Sequence, residues 1–233
     1  MRRIARLLAA LFLAFPVAAA AQEASADTEQ TAGEQSPFVG RYDGSSFETA
    51  MGMVVRPDGT FQWGISVGSL DLRAKGTWRE NGDFIVFESD PKPVSPEFIW
   101  KGTQPRAQDG PFLRIVWAGS GRPFGYADVR GLCANGELIR SSVSDQGWSP
   151  HETCDGPATI QLFMESYQVL SPVFELSGEH AIASDETATF EFHRNDLGLL
   201  DFDGVTARLE NGTLRMESPV GAMTLRKVET PAG

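Results

Sequence analysis

Residues 60–78 read Thr-Phe-Gln-Trp-Gly-Ile-Ser-Val-Gly-Ser-Leu-Asp-Leu-Arg-Ala-Lys-Gly-Thr-Trp, and this stretch decides the fold class. On an extended backbone Phe61, Trp63, Ile65 and Val67 point one way, while Thr60, Gln62, Gly64 and Ser66 point the other. After Gly68-Ser69 the alternation resumes with Leu70, Leu72, Ala74, Gly76 and Trp78. A period of two with one apolar row describes antiparallel strands that bury one face. The stretch is therefore a hairpin, and Phe84 and Val86 begin a third strand after Asn81-Gly82.

Working outward, Asp-Gly or Asn-Gly occurs eight times, at 43, 58, 81, 109, 135, 155, 203 and 211. Such pairs adopt the positive φ angles that tight hairpins require. No sustained 3.6-residue pattern follows residue 36; a turn of helix fits only near 165–170 or 179–186. The expected class is all-β: an antiparallel lipocalin-like meander or barrel plus a β-sandwich-like middle module. Residues 37–90 form the first meander. A Pro-rich connector covers 91–111, with Pro91, Pro93, Pro96, Pro105 and Pro111. The middle module occupies 112–177, and 187–228 form a second meander from TFEFH, LGLLDF, VTARLE, TLRMES and AMTLRKV.

The two meanders share a pattern. Gly59-Thr60 followed by Val67-Gly68 and Leu72-Arg73 matches Gly212-Thr213, Val220-Gly221 and Leu225-Arg226 at the same spacing. Either a hairpin was duplicated or β-meanders reuse the same turn chemistry. If the hairpins are related, the second meander completes the first barrel by pairing with it.

The N-terminus has the three zones of a secretory signal. Arg2, Arg3 and Arg6 precede the apolar run Leu7 to Phe15, then Pro16 and Ala19-Ala20-Ala21. Residues 1–21 are expected to be cleaved near Ala21, giving a periplasmic or secreted protein without stable membrane insertion. Residues 22–36 contain no large apolar side chain and read as a disordered linker. The formal charge is −11, and losing the leader would remove three arginines and no carboxylates. That balance repels phosphate backbones and argues against nucleic-acid binding. Cys133 and Cys154 are the only cysteines, and an exported protein pairs them as a disulfide.

Residues 37–90 resemble the lipocalin-like N-terminal domain of the copper-resistance and envelope-stress lipoproteins known as NlpE. The carrying residues are Phe38-Val39-Gly40-Arg41-Tyr42-Asp43-Gly44, Pro57-Asp58-Gly59-Thr60, Gly76-Thr77-Trp78 and Asn81-Gly82. The resemblance implies a small barrel, an envelope location and no catalysis. The family's Cys-x-x-Cys would fall near Ser45 to Glu48, where no Cys stands, so copper binding does not carry over. The middle resembles transthyretin-like or carboxypeptidase-regulatory-like sandwiches through Gly121-Arg122-Pro123, Gly125, Val129 and Asp145-Gln146-Gly147. That likeness implies an accessory or adhesive module. The whole chain is similar to uncharacterised exported proteins of α-proteobacteria.

Candidate chemistry is sparse. Gly64-Ile65-Ser66-Val67-Gly68 matches G-x-S-x-G, a motif that works at a strand-to-helix elbow, yet here it lies within a strand pattern. Ser89 and Lys92 match S-x-x-K, which needs a helical turn, and Pro91 interrupts it. His151, His180 and His193 lie in different segments, and only His151-Glu152 beside Cys154 suggests a metal site if the thiol were free. Glu48, Asp71, Asp128 and Glu191 are carboxylates on polar faces.

No cofactor or metal is expected. Phe61, Trp63 and Trp78 are the candidate ligand-binding residues, because the inward face of a lipocalin-like barrel both fills the core and lines any cavity. Trp100, Trp117 and Trp148 near loops are candidates for stacking on a sugar or a partner. The leading expectation is a non-enzymatic exported binding or envelope-maintenance protein with an apolar small molecule or an envelope protein as partner. The alternatives are a carboxylate-based hydrolase acting on envelope glycans and a structural or adhesive β module.

Overall fold

The computed structural model describes residues 35–229, which form one compact unit. The signal sequence expected at 1–21 and most of the linker expected at 22–36 lie outside the described residues. The chain first runs through five strands: β1 (Gly40–Asp43), β2 (Thr49–Val55), β3 (Thr60–Val67), β4 (Leu70–Asn81) and β5 (Phe84–Ser89). It then builds an insertion: β6 (Glu97–Pro105), β7 (Leu113–Trp117), β8 (Ala127–Cys133), β9 (Leu138–Val143), β10 (Pro157–Met164), β11 (Val169–Leu170), β12 (Phe174–Glu175) and β13 (Glu186–His193). It ends with β14 (Thr206–Glu210), β15 (Thr213–Ser218) and β16 (Gly221–Val228).

β1 to β5 and β14 to β16 close into an eight-stranded, antiparallel, lipocalin-like barrel. One seam pairs Tyr42 of β1 with Lys227 of β16; the other pairs Ala207 of β14 with Ile85 of β5. Closure satisfies the backbone groups that an open sheet edge would leave unpaired. Asn211 and Gly212 both take positive φ, 50° and 74°, as the mirror-image turn between β14 and β15 demands.

The two similar hairpins, β3–β4 and β15–β16, share the barrel but do not pair with each other. Two strands separate them on either side, so they face each other across its axis. Their ladders also differ. Phe61 pairs with Gly76, whereas Leu214, its counterpart by spacing, pairs with Leu225. The shared residues thus follow turn chemistry and inward–outward alternation, not equivalent places in the ladder.

The insertion is a two-sheet sandwich. One sheet runs β11–β10–β8–β9 with β12 also against β10; the other runs β6–β13–β7. Ile160, Leu162, Val129, Phe190 and Phe192 pack between them in a core distinct from that of the barrel. Cys133 and Cys154 form a disulfide that ties the β8–β9 end to the loop before β10. Short 3₁₀ turns at Glu165–Tyr167 and Gly178–His180 stand where single helical turns were expected.

Three segments differ from the sequence reading. The Pro-rich stretch carries β6, because its prolines stand before the strand and at its end while Phe98 and Trp100 alternate between them. TFEFH becomes β13, the centre of the three-stranded sheet, antiparallel to β6 and parallel to β7. Its apolar row, Ala188, Phe190 and Phe192, is wholly buried in the sandwich, so burial outweighs its proximity in sequence to the second meander. LGLLDF is a loop held by Arg73, whose backbone N–H donates to Gly198 O while its carbonyl accepts from Leu200 N. Among the described residues, no helix is long and apolar enough to cross a membrane.

Candidate functional site

The alternation that places Phe61 and Trp63 on the inner row of β3 brings them together inside the barrel. Phe61 packs on Phe87 with ring centroids 4.6 Å apart. Phe202, from the loop returning out of the sandwich, stacks on Phe61 at 5.8 Å and tilts against Trp63 at 5.3 Å. Trp78 is half-buried at the margin of this core, its indole N–H donating to the Arg56 carbonyl at 2.9 Å. The buried indole N–H of Trp63 has no hydrogen-bond partner among the described residues. The space between the aromatic residues singled out for a ligand is thus filled by Phe202, a residue that no local signal marks as an inward plug.

Polar contacts fasten the plug. The Phe202 N–H donates to Ser89 Oγ at 2.7 Å, and the Ser89 N–H donates to Asp203 Oδ1 at 2.8 Å. Lys92 Nζ lies 2.7 Å from Asp203 and 3.2 Å from Asp201. The Lys92 ammonium holds the Asp203 carboxyl below the usual carboxylate range, helped by the Ser89 N–H, and the two aspartates raise the Lys92 pKa in return. Ser89 and Lys92 therefore serve as a clamp that meets on Asp203, and they do not form a catalytic pair.

The other chemical candidates are engaged structurally. Ser66 donates to Asp71 across the β3–β4 hairpin, and the chain beyond is another strand, so no nucleophile elbow exists there. Asp128 accepts from Ser142 Oγ, and Glu191 meets Lys101 and His193. Glu48 sits in the β1–β2 turn with φ 62°. Cys154 is committed to the disulfide, which removes the thiol from any site with His151 and Glu152. No group of three or more metal-ligating side chains is found among the described residues. Trp148 is buried against Phe112, Trp117 packs on Phe124 and Phe192, and Trp100 packs on Phe190 and His180. These tryptophans stabilise the sandwich.

The residues that sequence reasoning missed lie on the outer face of the larger sandwich sheet. The register places Leu132 of β8 opposite Leu138 of β9, and Arg130 opposite Arg140. On the other side of β8, Gln161 of β10 lies opposite Arg130 and Thr159 opposite Leu132. These side chains and Val173 line a hollow of ≈440 Å³. A second hollow of ≈280 Å³ adjoins it, lined by the same two arginines with Phe163, Glu165, Gln168 and Leu170. Leu132, Leu138 and Val173 are 43%, 79% and 58% exposed. Arg130 donates to Gln161 Oε1 at 2.8 Å and lies over the Phe163 ring at 5.4 Å. Among the described residues neither arginine forms an ion pair.

Comparison with known proteins gives no match. No family model, curated protein or solved structure aligns with this chain.

Proposed function

We propose that this chain is an exported, non-enzymatic binding protein in which the barrel is a filled scaffold and the inserted sandwich carries the binding surface. The carrying observation is the ≈440 Å³ hollow on the outer sheet face, where Leu132, Leu138 and Val173 stay in contact with water. A volume within roughly 300–1,000 Å³, lined by apolar groups with a few polar ones, suits a small ligand. Exposing three aliphatic side chains on one face is costly at roughly 25 cal/mol per Å² of apolar surface, and a ligand that covers them recovers that free energy. The ligand is apolar over most of its length.

Export to the periplasm or the exterior rests on the N-terminal pattern ending at Ala21, together with the Cys133–Cys154 disulfide. Expression of the full-length chain in a bacterium, followed by N-terminal sequencing of the osmotic-shock fraction, is expected to read Gln22-Glu23 first. An unprocessed chain in the cytoplasm counts against export.

The binding surface is tested with Nile red, an uncharged apolar dye. The purified protein is expected to enhance its fluorescence saturably, and the Leu132→Ser/Leu138→Ser variant is expected to lose the effect. Unchanged enhancement in that variant refutes the assignment of the surface.

A further inference from the structure

We infer that the ligand of this surface is a long-chain carboxylate, its headgroup held between Arg130 and Arg140 and its chain lying along Leu132 and Leu138. The inference rests on the binding reading above and adds the chemistry of the headgroup.

The ladder register carries it. Arg130 and Arg140 are direct partners on neighbouring antiparallel strands and point out of the same face. Like charges set opposite each other repel and weaken a sheet. Arg130 is aligned by Gln161 and by the Phe163 ring, which leaves its guanidinium short of an anion. The Arg140 side chain makes no hydrogen bond or ion pair among the described residues. This occurs in a chain with 31 acidic residues against 20 basic ones, where carboxylates are plentiful. An incoming carboxylate relieves the repulsion and accepts charge-assisted hydrogen bonds from both guanidinium groups.

The position of the pair sets the rest of the ligand. Both arginines line both hollows, so an anion between them sits where the hollows meet. From there one path runs over Leu132 and Leu138, toward the end of the sheet bound by the disulfide, while Val173 flanks the hollow beyond Gln161 on the far side of β10. The other hollow carries Glu165, whose carboxylate disfavours a second negative group on that side. A single charge at one end of an aliphatic chain fits this layout. A polyanion does not.

The test is calorimetric titration of the purified protein with laurate, dodecanol and acetate below the aggregation threshold of each. Laurate is expected to bind with one site per chain, acetate not to bind, and dodecanol to bind about tenfold more weakly or worse, since each charge-assisted contact is worth about a factor of ten. Arg140→Gln, at a side chain with no internal partner, is expected to weaken laurate about tenfold and leave dodecanol unchanged. Arg130→Gln should do the same, and Arg208→Gln on the barrel should change neither. Equal affinities for laurate and dodecanol, or laurate binding indifferent to both sandwich arginine variants, overturn the headgroup assignment and leave the apolar surface standing. Absence of binding by laurate, dodecanol and Nile red alike overturns both.

Discussion

Phe202 lies over Phe61 with ring centroids 5.8 Å apart and planes inclined by 18°, which joins the end of the insertion to the heart of the barrel. The contact explains how two modules behave as one unit. The strand leaving the barrel at Ser89 and the loop returning at Asp203 are bonded to each other, although 114 residues separate them.

Truncating the plug should therefore destabilise the barrel. Phe202→Ala removes a fully buried ring, and such losses cost about 3–5 kcal/mol. Chemical unfolding should show a lower midpoint, and Nile red should gain a second site between Phe61 and Trp63. A change below about 1 kcal/mol would mean that the ring contributes little to closing the barrel.

The clamp beside the plug predicts a pH dependence with two limbs. Asp203 is lowered in the folded state, so its contribution is present above the unfolded carboxylate value and is lost as pH falls through the folded one. Lys92 is raised, so its contribution is complete below the unfolded lysine value and is lost as pH rises through the folded one. The difference in unfolding midpoint between wild type and Lys92→Met should be full between about pH 4 and 10, and should fade as pH falls further through the lowered Asp203 value or rises further through the raised Lys92 value. The difference should shrink in high salt, because all three charged groups are substantially exposed. A difference that stays undiminished down to the lowest pH at which the protein folds would rule out the ion pair as its source.

Tyr42 offers a spectroscopic check on the β1–β16 seam. Its hydroxyl donates to the Phe38 carbonyl at 2.6 Å, and burial pushes its pKa up to about 12. Since the neutral phenol is the form favoured by folding, this contribution is full below about pH 10 and is lost as pH rises through about 12. Phenolate absorbance should show a late-titrating phenol that Tyr42→Phe removes. Tyr42→Phe should cost about 1–3 kcal/mol by leaving the Phe38 carbonyl unpaired. A Tyr42 phenol that ionises near the ordinary tyrosine value of about 10 would contradict this seam.

The disulfide should act on the sandwich. Cys133 and Cys154 are 21 positions apart, and cross-linking a loop of that size is worth about 3 kcal/mol. Cys133→Ser/Cys154→Ser should lower the unfolding midpoint under non-reducing conditions, and a reductant should have no further effect on that variant. Equal midpoints for the oxidised wild type and the variant would show that the cross-link is energetically idle.

Much of this architecture is legible in the sequence alone. Alternation identified β3, β4 and β15 because a strand with one wet face must place apolar groups at every second residue. Seven of the eight Asp-Gly and Asn-Gly pairs hold a residue at positive φ, for the same local reason, the steric ease of that conformation; Asp43-Gly44 instead ends β1 without it. Phe61, Trp63 and Trp78 stand on the apolar rows of β3 and β4 because the two-residue repeat carries them there. TFEFH joins the sandwich and not the second meander, because its alternation says that it is a strand and nothing about its partners. Phe202 was read as part of a strand because LGLLDF is apolar; only the backbone bonds to Arg73 and the clamp at Asp203 hold it as a loop.

The amino-acid order by itself determined what each segment is: strands by the two-residue repeat, turns by backbone sterics, one cross-link by having two cysteines. The tertiary structure decided what each segment meets: closure of β1 on β16, the plug at Phe202 and the facing of Arg130 by Arg140. Segment identity depends on neighbours along the chain, whereas pairing depends on register and burial between residues far apart in it. A slip of one residue in β9 would turn Arg140 into the core and expose Ile139 instead.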